Sequence, residues 1–348
     1  MKLLIVAGSE DFHALAVEYA MRVKGRTVHR LSSDNLTRAD TLSLRFDAQG
    51  SQTRLDLGGR PISLESIGVV WNRRPYESIQ TSPVADEDAP FMRREVSAAR
   101  DGLYQLLARA QWVNPVESVA RAENKIHQLT CAVEIGLRIP ETLIGNDPAE
   151  IRAFLGQHAD CIYKPLQGYV WLQEGRRRAT YTARVREADL PNDPVLRAVP
   201  GIYQRRVEHA YEVRAQFFGR QCAAIKIDVS SHDCLDWRLV QGAIECCERA
   251  NVPEDVQIRC LALMERLGLV SAGFDFLVGS DGEWTFLEAN QAGQFLFLED
   301  WCPELPVLDM FCEFLADPSP QWRYRPHAAP IRFAEFIKDY RKTDAELA

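Results

Sequence analysis

The sequence is short of lysine: seven against 34 arginines. Nine cysteines are scattered with no CxxC pair, which excludes a zinc ribbon and a disulfide framework and fits reduced thiols. No apolar run approaches the length of about 18 residues that a membrane span needs. The first strand-to-helix turn, AGSEDFH, lacks GxGxxG, so the dinucleotide fingerprint is absent. A formal charge of −8, with no basic tail, argues against general affinity for nucleic acid or an anionic membrane. There is no internal repeat and no low-complexity segment. MKLLIVAG runs at once into Ser9, Glu10 and Asp11, a first strand and not a signal peptide, so the expectation is a cytoplasmic protein.

What is present is an α/β pattern over several packed units, since 348 residues are long for one core. Residues 2–7 read as a buried strand, 13–24 as a helix, and IGVVWNRRP (67–75) as a strand with a basic exit. Helical sequence continues to about Arg109, and VNPVES (113–118) marks a boundary. NKIHQLTCAVEIGL then carries Ile126, Leu129, Val133 and Leu137 at helical spacing. ETLIGND and CIYKPL read as strands around a helix that Asp147-Pro148 begins, followed by strand-like runs at 201–207, 211–218 and 221–229. Residues 254–268 read as an amphipathic helix and 273–290 as a hairpin.

That hairpin carries the chemistry. Asp281-Gly282 between two apolar runs signals a two-residue loop. Pairing Ser280 with Glu283 brings Asp275 opposite Glu288, and period two adds Asn290 to their face, with Leu277, Trp284 and Phe286. The other face would hold Phe274, Phe276, Val278 and Leu287. Like charges across a sheet repel. A bound cation removes the conflict, and two carboxylates with an amide oxygen suit a hard ion such as Mg²⁺. The alternative is a pair of solvated surface carboxylates.

Because lysine is scarce, Lys125, Lys164 and Lys226 stand out; Lys164 and Lys226 interrupt otherwise apolar strands, where a phosphate would offset the burial cost. Arg238 in LDWRLVQG could clamp a transferring phosphate or act only as a surface partner of Asp236. QRRVEHAYEVR (204–214) can present backbone groups to a base and Glu212 to a ribose.

In this order, Lys125, Lys164, QRRV, Glu212 with Arg214, Lys226, DWR, Asp275 and the ExN at 288–290 resemble the ATP-grasp fold of the glutathione synthetase type over about residues 115–300. With AGSEDFHALAVEYA, RLSSDN, VVWNRRP, NKIHQLTCAVEIGLRIPETLIGNDP and EANQAGQF added, nearly the whole chain resembles the microviridin-type peptide ligases that make graspetides. The resemblance implies an N-terminal pre-grasp α/β domain (1–115), a central subdomain (116–195), a C-terminal subdomain with the Mg²⁺ and ATP site (196–330) and a tail (331–348). It implies Lys125 and Lys164 on ATP phosphates, Gln204, Arg205, Arg206 and Val207 lining adenine, and Glu212 near the ribose. Lys226 and Arg238 would face the γ-phosphate and an acyl phosphate, and Asp275, Glu288 and Asn290 would hold magnesium.

Arg73 and Arg74 would meet the acidic core of a ribosomal precursor peptide, and Glu187, Asp189 and Asn192 its leader. A homodimer is also implied. The reaction would phosphorylate an Asp or Glu side chain and join it to a Ser/Thr hydroxyl or a Lys amine, closing a macrocycle. Competing readings are a ligase of small molecules and an inactive ATP-binding scaffold. Two departures stand out: segment 167–179 has only Gly168 and Gly175 where relatives carry a glycine-rich lid, and Gln291 replaces a usual proline.

Overall fold

The computed structural model describes residues 2–32, 36, 39–73, 84–168, 170–173, 176–180, 182–228 and 247–347. Strand β1 (Lys2–Val6) leads through α1 (Phe12–Val23) to β2 (Val28–Leu31). The Asp11 carboxylate caps α1, accepting the N–H of Ala14 at 2.8 Å. A separate antiparallel sheet follows, made of β3 (Thr41–Asp47), β4 (Gly50–Leu57) and β5 (Arg60–Ile62). Its outer strand β3 is mostly exposed, and its weak apolar signal left it unrecognised in the sequence. β6 (Ile67–Asn72), α2 (Ala89–Leu106) and β7 (Gln111–Val113) complete a parallel sheet of order β2-β1-β6-β7. Both faces of β1 are covered: Leu4 and Val6 pack toward Leu103 and Tyr104 of α2, Leu3 and Ile5 toward α1. This is why MKLLIV reads as a continuous apolar run.

The middle of the chain holds α3 (Val116–Glu123), α4 (Lys125–Glu134), β8 (Thr142–Gly145), α5 (Pro148–Gln157), β9 (Cys161–Lys164), β10 (Val170–Gln173), β11 (Arg176–Ala179), β12 (Ala183–Val185), α6 (Asp193–Ala198) and β13 (Gly201–Arg205). Four of its strands form an antiparallel sheet, β12-β9-β13-β8. The segment compared above with a glycine-rich lid is instead largely the two-stranded hairpin β10–β11.

Strands β14 (Tyr211–Phe218), β15 (Gln221–Ile227), β16 (Cys247–Arg249), β17 (Ser271–Val278) and β18 (Trp284–Asn290), with helix α7 (Glu254–Leu267), build an antiparallel sheet ordered β16-β15-β14-β17-β18. One face packs on α7 through Val213, Phe217, Phe274 and Phe276. Helices α8 (Phe297–Trp301), α9 (Val307–Ala316) and α10 (Phe333–Leu347) then return to the N-terminal sheet. The segment read as a tail is therefore mostly helix: Phe333 and Phe336 of α10 are buried, with Phe12 of α1 5.2 Å from Phe336 between ring centroids. Phe311 joins the units, lying 4.8 Å from both Trp71 and Phe295 and 5.1 Å from Phe218. Among the described residues no helix is long and apolar enough to cross a membrane.

The β14–β15 turn depends on Gly219, whose φ of 53° is left-handed and whose added Cβ would lie 2.6 Å from the Ser319 carbonyl oxygen. Neither that backbone nor Trp322 beside it can yield cheaply. Gly219→Ala should cost about 2–4 kcal/mol, read as a lower melting temperature. Gly282→Asn is the control, because a Cβ at Gly282 meets nothing within 4 Å and asparagine tolerates its φ of 82°.

Candidate active site

The β17–β18 hairpin does place Asp275 opposite Glu288, by a different path from the one expected. Its loop has three residues, because Gly279 pairs with Glu283 (N–H to carbonyl, 3.0 Å). Gly282, with φ 82°, closes it. A bulge then inserts Leu287 as one extra residue on β18 and restores the register from Asp275 onward. The N–H of Phe286 is taken by the carbonyl of Arg138 at 2.8 Å. Between loop and bulge the faces are exchanged. Phe286 and Trp284 join Phe274, Phe276 and Val278 on the α7 side, correcting the expected division.

Asp275, Glu288 and Asn290 share the face opposite α7, together with Glu212 and Arg214 of β14. The repulsion inferred from sequence is relieved by protein cations. Arg214 Nη1 donates to both oxygens of Asp275 at 2.8 Å, and Lys125 Nζ to Glu288 Oε2 at 2.7 Å. Asn290 Nδ2 bridges the pair, 2.9 Å from Asp275 and 3.2 Å from Glu288. Burial pushes the Glu288 carboxyl up, but the charge and hydrogen bond of Lys125, the amide of Asn290 and the charge of Lys164 together hold it at about 2.

Local sequence explains these placements. Asn124 caps α4 through the N–H of His127 (3.0 Å), so Lys125 occupies the first helical position and reaches across to β18. One turn on, the buried Gln128 amide bonds both the N–H and the carbonyl of Ala289, each at 2.8 Å, and fixes the backbone between Glu288 and Asn290. Lys164, at the end of β9, donates to Gln204 Oε1 at 3.0 Å. Burial lowers its pKa, while the charges of Glu288, Asp275 and Glu212 oppose that fall.

The donor set fits a hard divalent cation: two carboxylates converge on one amide, which in the turned-over rotamer offers them a third oxygen. A second group of ligating type among the described residues, Asp309, Glu313 and His327, is already bridged by a lysine, because Lys24 lies 2.7 Å from both carboxylates. A cleft of about 980 Å³ opens over the first set, lined among others by Arg73, Lys125, Gln167, Gly168, Glu288 and Asn290. All three units border it.

Residues 2–120 match the family model of the MvdD pre-ATP grasp domain. The structure superposes on a RiPP-associated ATP-grasp ligase of Chryseobacterium gregarium in complex with ADP and a leader and core peptide. That match has a TM-score of 0.80 and 27% identity over 92% of this chain and 97% of that one. The chain begins with an MvdD-type pre-ATP grasp domain and has, along nearly its whole length, the fold of RiPP ATP-grasp peptide ligases. The macrocyclase MdnB from Microcystis aeruginosa MRC matches it at a TM-score of 0.76 and 26% identity, over 91% of this chain and 99% of that one. MdnC of the same organism, bound with precursor peptide MdnA, has the same fold at 0.79 and 23%, over 91% and 100%. No curated protein is similar in sequence.

Most of the other expected site residues have protein partners. Lys226 pairs in register with Val213, which puts it on the α7 face of the sheet, away from Asp275 and Glu288. There it lies 3.0 Å from Glu248 and 4.7 Å from the centroid of the Tyr211 ring. Arg73 is 2% exposed and bound to Asp11 and to the carbonyls of Ala292 and Gly293, so its guanidinium is already engaged. Arg74 and Arg238 lie outside the described residues. Gln204 is buried between Lys164 and Thr142, whereas the side chains of Arg205 and Arg206 pair with Glu141 (3.3 Å) and Asp160 (3.0 Å). The Val207 carbonyl contacts His209 Nδ1 at 3.1 Å.

The leader candidates have local duties: Asp189 pairs with Arg186 at 3.1 Å, Asn192 caps α6, and Glu187 lies 3.9 Å from Arg152. Sequence reasoning missed His13, Asn114, Gln128 and, as a partner of Asp275, Arg214. Asn114, read only as part of a boundary, bonds the N–H groups of Val270 and Ser271 and the carbonyls of Ser271 and Gln291. Gln291 in turn donates to Glu123 at 2.9 Å. Hydrogen bonds thus hold the turn at Gln291.

Proposed function

We propose that the ligase uses ATP to phosphorylate Asp or Glu side chains of a ribosomal precursor peptide and joins them to Ser/Thr hydroxyls or a Lys amine, forming macrocyclic crosslinks. One observation carries this reading: Lys125, Glu288 and Asn290 line a cleft bordered by all three units, with Asp275 bonded to Asn290 and Lys164 within reach of the Glu288 charge, in a chain similar along nearly its whole length to a ligase solved with ADP, leader and core peptide.

Asp275, Glu288 and Asn290 would hold Mg²⁺, which when bound neutralises phosphate charge. Lys125 and Lys164 receive the phosphates, Lys125 exchanging Glu288 for them. Glu212 faces the ribose, and the backbone of residues 204–207, crossing between two sheets, faces the base. A substrate carboxylate oxygen attacks the γ-phosphorus and the bond to the bridging oxygen breaks, releasing ADP. The hydroxyl or amine then attacks the acyl carbon and loses its proton, and the carbon–oxygen bond to phosphate breaks. Arg238 is assigned to the charge that develops at this step. The reading includes a leader-and-core peptide as partner and a homodimer, which sedimentation velocity measures.

The test takes the short peptide encoded beside the ligase gene, chosen for a repeated Thr/Ser and Asp/Glu core. With ATP and Mg²⁺, mass spectrometry should show loss of one water per crosslink and one ADP for each. ADP release driven by free amino acids, with the peptide unchanged, would favour the small-molecule reading. No ADP release with either would favour the scaffold.

A further inference from the structure

The turn that follows Asn290 is gripped from the N-terminal unit at both its polar edges. His13 of α1 is buried, and its Nε2 accepts the N–H of Phe295 at 3.1 Å and of Leu296 at 3.2 Å, which places the ring proton on Nδ1. Its ring stands edge-on to Phe295, 5.1 Å between centroids. The carbonyls of the turn are held by Arg73, which bonds Ala292 and, at 3.1 Å, Gly293. Asp11 links the two grips, because it lies 3.3 Å from Arg73 Nε and also caps the helix that carries His13. Between them, Arg214 donates to the carbonyl of Gln294 at 3.3 Å while binding Asp275. Movement of this turn therefore displaces Asn290 directly and Asp275 through Arg214.

We infer that His13 is a positioning residue for the magnesium-binding side chains: by accepting two backbone N–H groups it fixes the 291–296 turn, and through it the places of Asn290 and Asp275. The inference rests on the magnesium-dependent ligase reading and adds a residue about which the resemblance is silent. A purely packing role for His13 makes a different prediction, since leucine would fill the space as well as glutamine.

Wild type, His13→Gln, His13→Asn and His13→Leu are compared as full chains. The glutamine oxygen reaches the place of Nε2, the asparagine oxygen that of Nδ1. Two quantities are read: exchange of the Phe295 and Leu296 amide hydrogens without ligands, and the magnesium concentration giving half-maximal ADP release, alongside KM for ATP. The Leu and Asn variants should exchange these amides faster and need about tenfold more magnesium, the usual effect of losing a residue that orients ligands, with KM for ATP nearly unchanged. The Gln variant should recover both. An unchanged magnesium requirement in a folded Leu or Asn variant overturns the inference, as does a Gln variant no better than Leu. Wild type that releases ADP without magnesium defeats the functional reading itself, and the exchange data then show only whether the clasp exists.

Discussion

Glu288→Gln should lower ADP release and peptide dehydration by about a thousandfold or more, since neutralising phosphate charge is a leading contribution to phosphoryl transfer. The change keeps the shape and removes one of the two carboxylates assigned to magnesium. Cross-strand repulsion, considered alone, would have the variant gain stability. The structure argues otherwise, because Glu288 is matched by Lys125 and Asp275 by Arg214, so the substitution leaves Lys125 and Lys164 facing less negative charge. The pH dependence has a definite sign. A carboxyl held at about 2, against an ordinary value of 4.5, contributes stability that is complete above the ordinary value and is lost as pH falls through the lower one. Melting curves should therefore place wild type above the variant at neutral pH, with the gap closing below about pH 4. Normal crosslinking by Glu288→Gln would remove the metal assignment.

Arg214→Met should be the most damaging substitution for the folded state near the site. Arg214 is 7% exposed and supplies a two-toothed contact to a carboxylate that is itself only 23% exposed. Removing one partner of such a pair costs about 3–5 kcal/mol, with the lower end expected because Asp275 retains the Asn290 amide. The glycines around the guanidinium show how closely it is housed: a Cβ on Gly273 would lie 2.6 Å from Nη2, and one on Gly293 would overlap the same atom. Gly293→Ala should therefore reproduce part of the Arg214 phenotype. Chemical denaturation measures the loss. A variant as stable as wild type would mean that Asp275 is satisfied without its arginine.

The strands and helices with strong periodicity were legible, β1, α4 and α7 among them, and so was the shared face of Asp275, Glu288 and Asn290. That face was reached through two errors that cancel. The loop has one residue more than Asp281-Gly282 suggested, and Leu287 adds one on the returning strand. Propensity does not announce a bulge whose freed N–H is satisfied by Arg138, far away in sequence. The face of Lys226 was illegible for a related reason: alternation within β15 gives two faces without saying which one meets α7, and only pairing with Val213 decides it. His13 and Asn114 carried no local signal because the backbone groups their side chains hold, at Phe295 and Leu296 and at Val270, Ser271 and Gln291, lie more than 150 residues further on.

The fastening of Asn114 bears on how such ligases can be recombined. Its side chain joins the last N-terminal strand to the first residues of β17 and to the turn after Asn290. A chimera that exchanges the chain through Asn114 to acquire another peptide preference would break this weld even if each half kept its own shape. The viable crossover lies before Asn114, or after it with the incoming protein's own turn transplanted as well, so that hydrogen-bond donor and acceptor travel as one cassette.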